Sequence, residues 1–308
     1  VSPEAYDLDR YVIGKGTAAS LDFAAVLAQA ARLLAPTHEF WSQKALEAAE
    51  KAWKWAQFNP QVAFSNPDDV KTGEYGDAQF ADDFYWAAAE LYLATQETMY
   101  LNYLQSNKET YQHQLTNSWK FFTRNVGFAS LLIHQELIDP KLYKTLKNEH
   151  LLLCDSLLEA INHHPYRIAL NTFEWGSNSD VLNQALLLCL AHQLTADEKY
   201  LMGAEQIIDY IFGKNATGYS FLTGFGSKKV RFPHHRPSGA DQILMPIPGF
   251  IVGGPNGDRQ DHQEVAYTSI FPAKAYQDVQ PSYASNEVCL NWNAPAVFVL
   301  GYIHQVRN

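Results

Sequence analysis

The sequence predicts an all-α fold in which paired helices form a helical barrel and one long loop segment decorates a single face. Three observations carry this prediction. Apolar residues recur at helical spacing over most of the chain, the connections between these stretches are short, and residues 213–291 hold no sustained 3.6-residue period. The 308 residues are 47% apolar and 18% charged, which is enough to bury the core of one large domain.

The first two predicted helices are amphipathic, and a proline follows each of them. TAASLDFAAVLAQAARLLAP begins at Thr17 and ends at Pro36. HEFWSQKALEAAEKAWKWAQFNP repeats the pattern and stops at Asn59 and Pro60. The apolar stripe of the first helix comprises Leu21, Ala24, Ala25, Ala28 and Leu33.

Six further stretches carry the helical period, which gives about eight long helices in all. They are residues 80–95, 118–135, 140–163, 180–194, 198–212 and 294–305. The segment 213–291 between the last two concentrates Gly, Pro, His and Asn. A segment of this length without regular structure is typical of a binding or active-site loop.

The balance of charge excludes some classes of partner. A net charge of −10 without clusters of Lys and Arg argues against nucleic acid. No run approaches the 18 apolar residues of a membrane helix, so no membrane partner is expected. The 17 Tyr, 17 Phe and 7 Trp include several in Gly-, Pro- and Asn-rich stretches, where sugar-stacking surfaces would use them.

The three cysteines are expected to be buried thiols. Cys154, Cys189 and Cys289 lie in or beside apolar runs, and an odd, sparse set predicts no disulfide framework.

Two adjacent histidines and an arginine follow Pro233 in the stretch GYSFLTGFGSKKVRFPHHRPSG. His234 and His235 would point in different directions on an extended chain, and no Cys or acid stands at ligand spacing nearby, so no metal site is predicted. Two readings stay open for the group. In the first, the two histidines bond backbone carbonyls within the loop. In the second, the imidazoles and the guanidinium of Arg236 project into a cleft and grip a hydroxyl-rich ligand.

Two carboxylates stand among aromatic residues in YQDVQPSYASNEVCLNWNAPAVF. Glycoside hydrolysis needs one group to protonate the leaving oxygen and one to activate water or attack. Burial of Glu287 near Tyr283 and Trp292 would raise its pKa, as a general acid requires. The other reading is equally open from these residues alone: Glu287 is an acid at a helix N-terminus and Asp278 caps a turn.

Two motifs in this region resemble the signatures of glycoside hydrolase family 9, the inverting cellulase family. The first signature is matched at Ser220, Leu222, Thr223, Gly226, Lys228, Pro233, His234 and Arg236. The second is matched at Tyr276, Asp278, Tyr283, Glu287, Asn293 and Ala294. Cys289 stands where that signature has Ser, Thr or Ala. Looser resemblance to the family, as in WGSNSDVLNQA and PIPGFIVGGPNGDRQDH, covers essentially the whole chain.

The resemblance implies an (α/α)6 barrel that cuts β-1,4-glucosidic bonds with inversion, in an open cleft. By position, Glu287 resembles the general acid, while Asp278 and His234 match the other two active-site positions. We assign Asp278 to positioning the acid and its loop, and His234 with Arg236 to hydrogen bonds with sugar hydroxyls. His235 is a further substrate-binding candidate. Candidates for stacking on pyranose rings are Trp175, Tyr283 and Trp292.

The family's base comes from an Asp-Ala-Gly-Asp stretch, which this sequence does not contain. About eight helices are expected here, against twelve in the family's barrel. We therefore interpret residues 1–308 as the C-terminal part of one catalytic domain, with the N-terminal helices and the base on polypeptide outside this sequence. That missing part and a β-glucan or oligosaccharide are the expected partners. A secreted or periplasmic location is inferred from this substrate class.

Two alternatives to a β-1,4-glucanase remain. One is an exo-acting glucosaminidase on chitosan oligomers, whose cationic sugars would suit an acidic cleft. The other is a carbohydrate-binding pseudoenzyme that lacks the base. No cofactor is expected to be required. A structural calcium ion on Asp258, Asp261 and Glu264 is one reading of GGPNGDRQDHQE, and a solvated acidic loop is the other.

Overall fold

A computed structural model describes residues 12–70, 78–107 and 122–308, together with Ala5, Asp7, Glu74 and Gly76. The chain divides into two compact units, one of Arg10–Glu149 and one of His150–Asn308 with Val1–Asp9. In the described residues the regular structure is helical, with isolated β-bridges only. The predicted all-α class is confirmed.

The first unit is built around the apolar helix α3. Helices α1 and α5 both pack against α3, and α2 packs mainly against α1. The helices are α1 Thr17–Leu34, α2 Glu39–Phe58, α3 Ala81–Thr95, α4 Thr98–Ser106 and α5 Phe122–Ile133. The helix predicted over 118–135 begins at residues that lie outside the described ones. The nine-residue α4 was not predicted.

Helix α1 is long and apolar enough, by length and composition alone, to cross a membrane. No membrane-length apolar run was expected from the sequence, so this differs from the prediction. Core helices and signal sequences pass the same test, so this is weak evidence. The predicted stripe lies in the core of its unit at Leu21, Ala24, Ala25 and Ala28, whereas Leu33 is exposed. This buried stripe explains the apolar character of much of α1 without a membrane.

A buried charge joins three helices of the first unit. Glu90 of α3 is fully buried, and its carboxylate accepts a hydrogen bond from Arg32 Nη2 of α1 at 2.5 Å and another from Ser130 of α5. A second Arg32 nitrogen lies 2.6 Å from His134 Nε2. Because a buried carboxylate is costly unless it is paired, these contacts specify how α1, α3 and α5 meet.

The second unit is organised around α7, which packs against α8 and α11. Its helices are α6 Pro140–His163, which crosses the boundary between the units, α7 Ser177–Thr195, α8 Glu198–Ile211, α9 Arg236–Ala240, α10 Tyr283–Asn286 and α11 Leu290–Arg307. Helix α7 is buried on nearly every side, as its apolar residues predict. Eight helices of the described residues have twelve residues or more, in agreement with the predicted number.

Two helix starts differ from the prediction. Helix α7 begins at Ser177 rather than Asp180, because Ser177 Oγ and Asn178 Nδ2 donate to the carbonyls of Pro255 and Val252 at 2.7 and 2.8 Å. Helix α11 begins at Leu290 and tolerates Pro295 in its second turn. The apolar periodicity of the sequence reports neither these long-range hydrogen bonds nor the acceptance of a proline inside a helix, so it misplaced both starts.

The segment between α8 and α11 has no sustained helix, as predicted. It contains turns, the short α9 and α10, and four isolated bridges that pair its extended stretches. Cys154 and Cys189 are buried free thiols, as expected, and burial raises the pKa of both. Cys289 is also free but only half-buried.

Candidate active site

Glu287 follows α10 directly and is held by its backbone between two other stretches of the second unit. His234 N–H donates to the Asn286 carbonyl at 2.8 Å, and Gly253 N–H donates to the Glu287 carbonyl at 2.9 Å. His234 and Glu287 form an isolated parallel bridge. Residues about 50 positions apart in the sequence are thereby brought side by side, as both signatures required.

The Glu287 carboxyl lies in a half-buried, mixed environment. Burial raises the pKa of Glu287, while the neighbouring His234 and Arg236 side chains and a hydrogen bond from the Trp175 side chain oppose that rise. A raised pKa keeps the carboxyl protonated to higher pH. Such a group can deliver a proton to an oxygen atom at a pH where an exposed carboxyl has already lost its own.

The orientation of the His234 ring is fixed by one hydrogen bond. Its Nδ1 lies 2.7 Å from the Gln280 carbonyl, which can only accept, so Nδ1 carries the proton. In the neutral ring Nε2 is then the acceptor. The ring meets Tyr283 edge to face, with centroids 6.1 Å apart. One nitrogen of His234 thus bonds a backbone carbonyl, as the first reading expected, and the ring lies beside Glu287, while its contact with a ligand stays a prediction.

Asp278 binds the backbone of the segment that carries His234. Its carboxylate accepts hydrogen bonds from the Arg231 and Phe232 amides at 2.9 Å, and Asn286 Nδ2 lies 3.4 Å away. Asn286 also donates to the Phe232 carbonyl at 2.6 Å. This geometry supports the predicted positioning role, since Asp278 ties the histidine segment to the residue that precedes Glu287.

Two of the predicted stacking residues lie together. The rings of Trp175 and Tyr283 are 5.6 Å apart and inclined by 38°. Trp175 is 39% exposed, and the Tyr283 hydroxyl donates to the Gln260 carbonyl at 3.0 Å. They form one aromatic surface next to Glu287.

Trp292 is placed differently, against the backbone of two glycines. A Cβ built on Gly176 or on Gly253 would lie 3.0 Å from its indole ring. Gly176 also has a φ of 84°, which other residues rarely adopt. Trp292 therefore packs against the backbone at Gly176, next to Trp175, and its role in stacking on sugar stays a prediction.

The two neighbours of His234 have different surroundings. His235 precedes α9, its Nδ1 lies 2.9 Å from Ser238 Oγ, and its ring meets Phe250 edge to face. Burial lowers the pKa of His235. Arg236 is exposed at the start of α9 and favours the charged form of Glu287. Of the two, Arg236 is better placed to meet a ligand, while the contacts of His235 fit the alternative of a loop histidine.

Several polar residues that hold this site together were not singled out as such from the sequence. Asn293 closes a pair of hydrogen bonds with the backbone of Ile251 at 2.8 and 3.1 Å, and Asn256 donates to the Ala284 carbonyl at 2.8 Å. The feature of the sequence that could have pointed to them is the high asparagine content of the loop. Among the residues that the structure describes, no group of three His, Cys, Asp or Glu could hold a metal ion.

Known proteins share both the sequence and the fold of this chain. A xyloglucan-specific endo-beta-1,4-glucanase of Bacteroides ovatus is 39% identical over 96% of this chain and 53% of its own length. Endoglucanase D of Acetivibrio thermocellus is 30% identical over 99% of this chain and 47% of its own. The chain thus spans about half the length of the curated relatives it matches.

Solved structures agree with these sequence matches. A Bacteroides ovatus GH9 structure has a TM-score of 0.88 at 35% identity, and it matches 98% of this chain and 56% of that one. AaCel9A in complex with cellobiose-like isofagomine has a TM-score of 0.89 at 32% identity, over 100% of this chain and 58% of that one. The (α/α)6 class predicted from the resemblance is therefore confirmed. Because the model of glycosyl hydrolase family 9 also matches residues 1–300, this chain belongs to that family.

Proposed function

We propose that the protein is an inverting glycoside hydrolase that cleaves β-1,4-glucosidic bonds in cellulose, cellodextrins or related β-glucans. The observation that carries this proposal is the half-buried Glu287, whose pKa is raised by burial and whose side chain lies beside His234 and Trp175. The family membership and the names of the relatives support the same substrate class.

In this proposal Glu287 is the general acid. It gives its proton to the glycosidic oxygen as the bond to the anomeric carbon breaks, so that the leaving sugar departs as a neutral alcohol. The Trp175 hydrogen bond orients the carboxyl and then stabilises the carboxylate that remains. Asp278 keeps the histidine segment in register with Glu287.

Sugar binding falls to the surrounding side chains. His234 and Arg236 supply polar groups for ring hydroxyls, and Trp175 with Tyr283 offers an aromatic surface for a pyranose ring. We keep His235 and Trp292 as weaker candidates because their rings contact Phe250 and the glycine backbone, respectively.

Inversion needs a second carboxylate, roughly 6.5 to 9.5 Å from the acid, to activate water. The sequence lacks the Asp-Ala-Gly-Asp stretch, and the chain spans 53% of the Bacteroides ovatus relative. We propose that this base belongs to polypeptide outside these residues and that 1–308 form the C-terminal part of the catalytic domain. A denaturing intact mass of the purified active protein tests this point. Activity from a species of 34.8 kDa alone would refute it.

Three smaller proposals follow from the substrate class. The reaction needs no cofactor, because proton transfer and water attack use side chains alone. A secreted or periplasmic location fits a polymer that does not cross membranes. A structural calcium ion remains a proposal with reduced support, since the oxygens of Asp261 already accept hydrogen bonds from Tyr267, Ser282 and Ala284.

The decisive experiment compares wild type with Glu287→Gln in the full-length protein. Wild type should cleave β-glucan into products whose new reducing end is first released as the α-anomer, which NMR can follow. The variant should bind oligosaccharide normally and lose at least about 1000-fold in kcat. Full activity of Glu287→Gln would refute the assignment.

The substrate panel should include xyloglucan, since one relative is named for it, with unsubstituted cellodextrins and chitosan oligomers beside it. Turnover of chitosan oligomers alone would favour the glucosaminidase. Binding of cellodextrins without turnover of any substrate by wild type would favour a carbohydrate-binding pseudoenzyme.

A further inference from the structure

Asp261 is a buried carboxylate to which the proposed reaction gives no role. Its side chain is 1% exposed. One oxygen accepts a hydrogen bond from the Tyr267 hydroxyl at 2.7 Å, and the other accepts from Ser282 Oγ at 2.8 Å and the Ala284 amide at 3.0 Å. The residue is therefore neither part of a solvated acidic loop nor open to solvent.

Burial of a charge without a cation is costly, and only hydrogen bonds offset that cost. No ion pair of Asp261 is found among the described residues, and three neutral donors satisfy the carboxylate instead. An apolar residue at this position would avoid the cost of burying a charge. The role of an acid at this position is therefore sought in the groups that its oxygens bind.

Two of the three hydrogen bonds end on the turn that carries Glu287. Ser282 precedes α10 but does not cap it with its own side chain, and the Asp261 carboxylate accepts the Ala284 amide of that helix instead. Ser282 Oγ, bonded to Asp261, lies 2.8 Å from Ser285 Oγ. One side chain thus binds the start of a four-residue helix that ends directly before Glu287.

The same loop makes two more contacts with this helix. The Tyr283 hydroxyl donates to the Gln260 carbonyl, and Asn256 Nδ2 donates to the Ala284 carbonyl. These contacts involve parts of α10 that Asp261 does not bond. Asp261 is the side chain that accepts hydrogen bonds from Ser282 Oγ and from the Ala284 amide.

We propose that Asp261 is a positioning residue for Glu287: by binding Ser282 and Ala284 it fixes the turn that aims the acid at the glycosidic oxygen. This inference rests on the proposed function of Glu287. A displacement of about 1 Å of a reacting group costs on the order of 100-fold in rate. A loosened α10 should therefore lower the rate of the chemical step more than it lowers the affinity for substrate.

The test uses three variants of the full-length protein. Asp261→Ala removes all three hydrogen bonds. Asp261→Asn keeps a carbonyl oxygen that can accept from both Ser282 and Ala284, while its amide can donate to the Tyr267 oxygen. Tyr267→Phe is the matched control, since it removes one hydrogen bond from the same carboxylate, and a 3.4 Å contact with Ser282 Oγ, but leaves both hydrogen bonds from the turn to Asp261.

We expect Asp261→Ala to lose about 100-fold in kcat with KM within about threefold of wild type. The alkaline limb of its kcat profile should move to lower pH, because a loosened turn exposes Glu287 to water. Asp261→Asn should restore most of kcat. Tyr267→Phe should lower the melting temperature without changing kcat or the pH profile.

Hydrogen exchange gives a readout that does not need activity. The Ala284 amide should exchange faster in Asp261→Ala and stay protected in Tyr267→Phe. The inference is overturned by normal kcat in Asp261→Ala, by equal losses in the Ala and Asn variants, or by a loss of kcat in Tyr267→Phe. An inactive wild type, or an active Glu287→Gln, would instead refute the proposed function while the exchange result could still stand.

Discussion

The helices of the second unit and the long segment between α8 and α11 are held together by different forces. Helix α7 is buried through apolar contacts with α8 and α11, and its residues such as Leu188 lie at 0% exposure. The long segment is fixed by side chains that bond the backbone, among them Asn256, Asn286 and Asn293. The scaffold thus depends on packing, and the candidate site depends on hydrogen-bond acceptors and donors in the right places.

The largest loss of stability should come from a cavity in the packed region. We expect Leu188→Ala to lower the free energy of unfolding by about 3 kcal/mol, because the fully buried side chain leaves a void. Chemical denaturation measures this loss. Met202→Ala, at an exposed position of α8, should change it by less than about 0.5 kcal/mol. Equal losses in both variants would contradict the packing argument.

A smaller loss should follow from a polar deletion in the long segment. Asn256→Ala removes hydrogen bonds to Gln260 at 2.7 Å and to the Ala284 carbonyl at 2.8 Å, which should cost about 2 kcal/mol. Gln260→Ala removes the first of these bonds from its exposed end and should cost little. Thermal melts of both variants compare the two losses of stability. A larger loss in Gln260→Ala would show that the Asn256 bond to the Ala284 carbonyl is not what stabilises this segment.

The next effect concerns binding rather than stability. Arg236→Ala should raise KM about tenfold, since a contact to sugar hydroxyls is lost. Loss of its positive charge should also raise the pKa of Glu287 further, so the alkaline limb of activity moves to higher pH. Arg231→Ala, an exposed arginine of the same segment, is the control. Unchanged KM and pH profile in Arg236→Ala would place Arg236 outside the cleft.

The last effect is a pH dependence of stability at Asp180. Burial, with the negative charge of Glu174, raises the pKa of Asp180 to about 8 from 3.8. The folded protein therefore holds this proton where the unfolded chain has released it, so this group's contribution to stability falls between about pH 4 and pH 8. Asp180→Asn should lessen that fall and so raise the melting temperature at pH 8 more than at pH 5. Melting temperatures at pH 5 and pH 8 test it, with exposed Asp258→Asn as the control.

Periodicity predicted most of the scaffold and few details of the site. It located the buried stripe of α1 and most long helices, because an apolar face at helical spacing is a local signal. It missed the start of α7, since the bonds of Ser177 and Asn178 end on residues more than 70 positions away. The signature resemblance brought His234, Asp278 and Glu287 to one place in advance, and the structure brings these three together.

Other parts of the site were beyond the sequence for a physical reason. Asp261 looked like one of several acids in a polar loop, and only the tertiary fold places Tyr267, Ser282 and the Ala284 amide around it. Trp292 looked like a stacking residue, while its contact with Gly176 and Gly253 depends on two distant backbones. Composition reports the type of side chain and not its neighbours.

The contact of Trp292 with two glycines also limits how this site can evolve or be redesigned. A larger residue at Gly253 would meet the indole at 3.0 Å, so Trp292 must shift or become smaller to admit it, whereas at Gly176 the positive φ adds backbone strain that a smaller Trp292 does not relieve. The three positions therefore change in a restricted order. A library that randomises each of them alone should recover mostly the starting residues, whereas one that varies all three together can reach new ways of packing these segments.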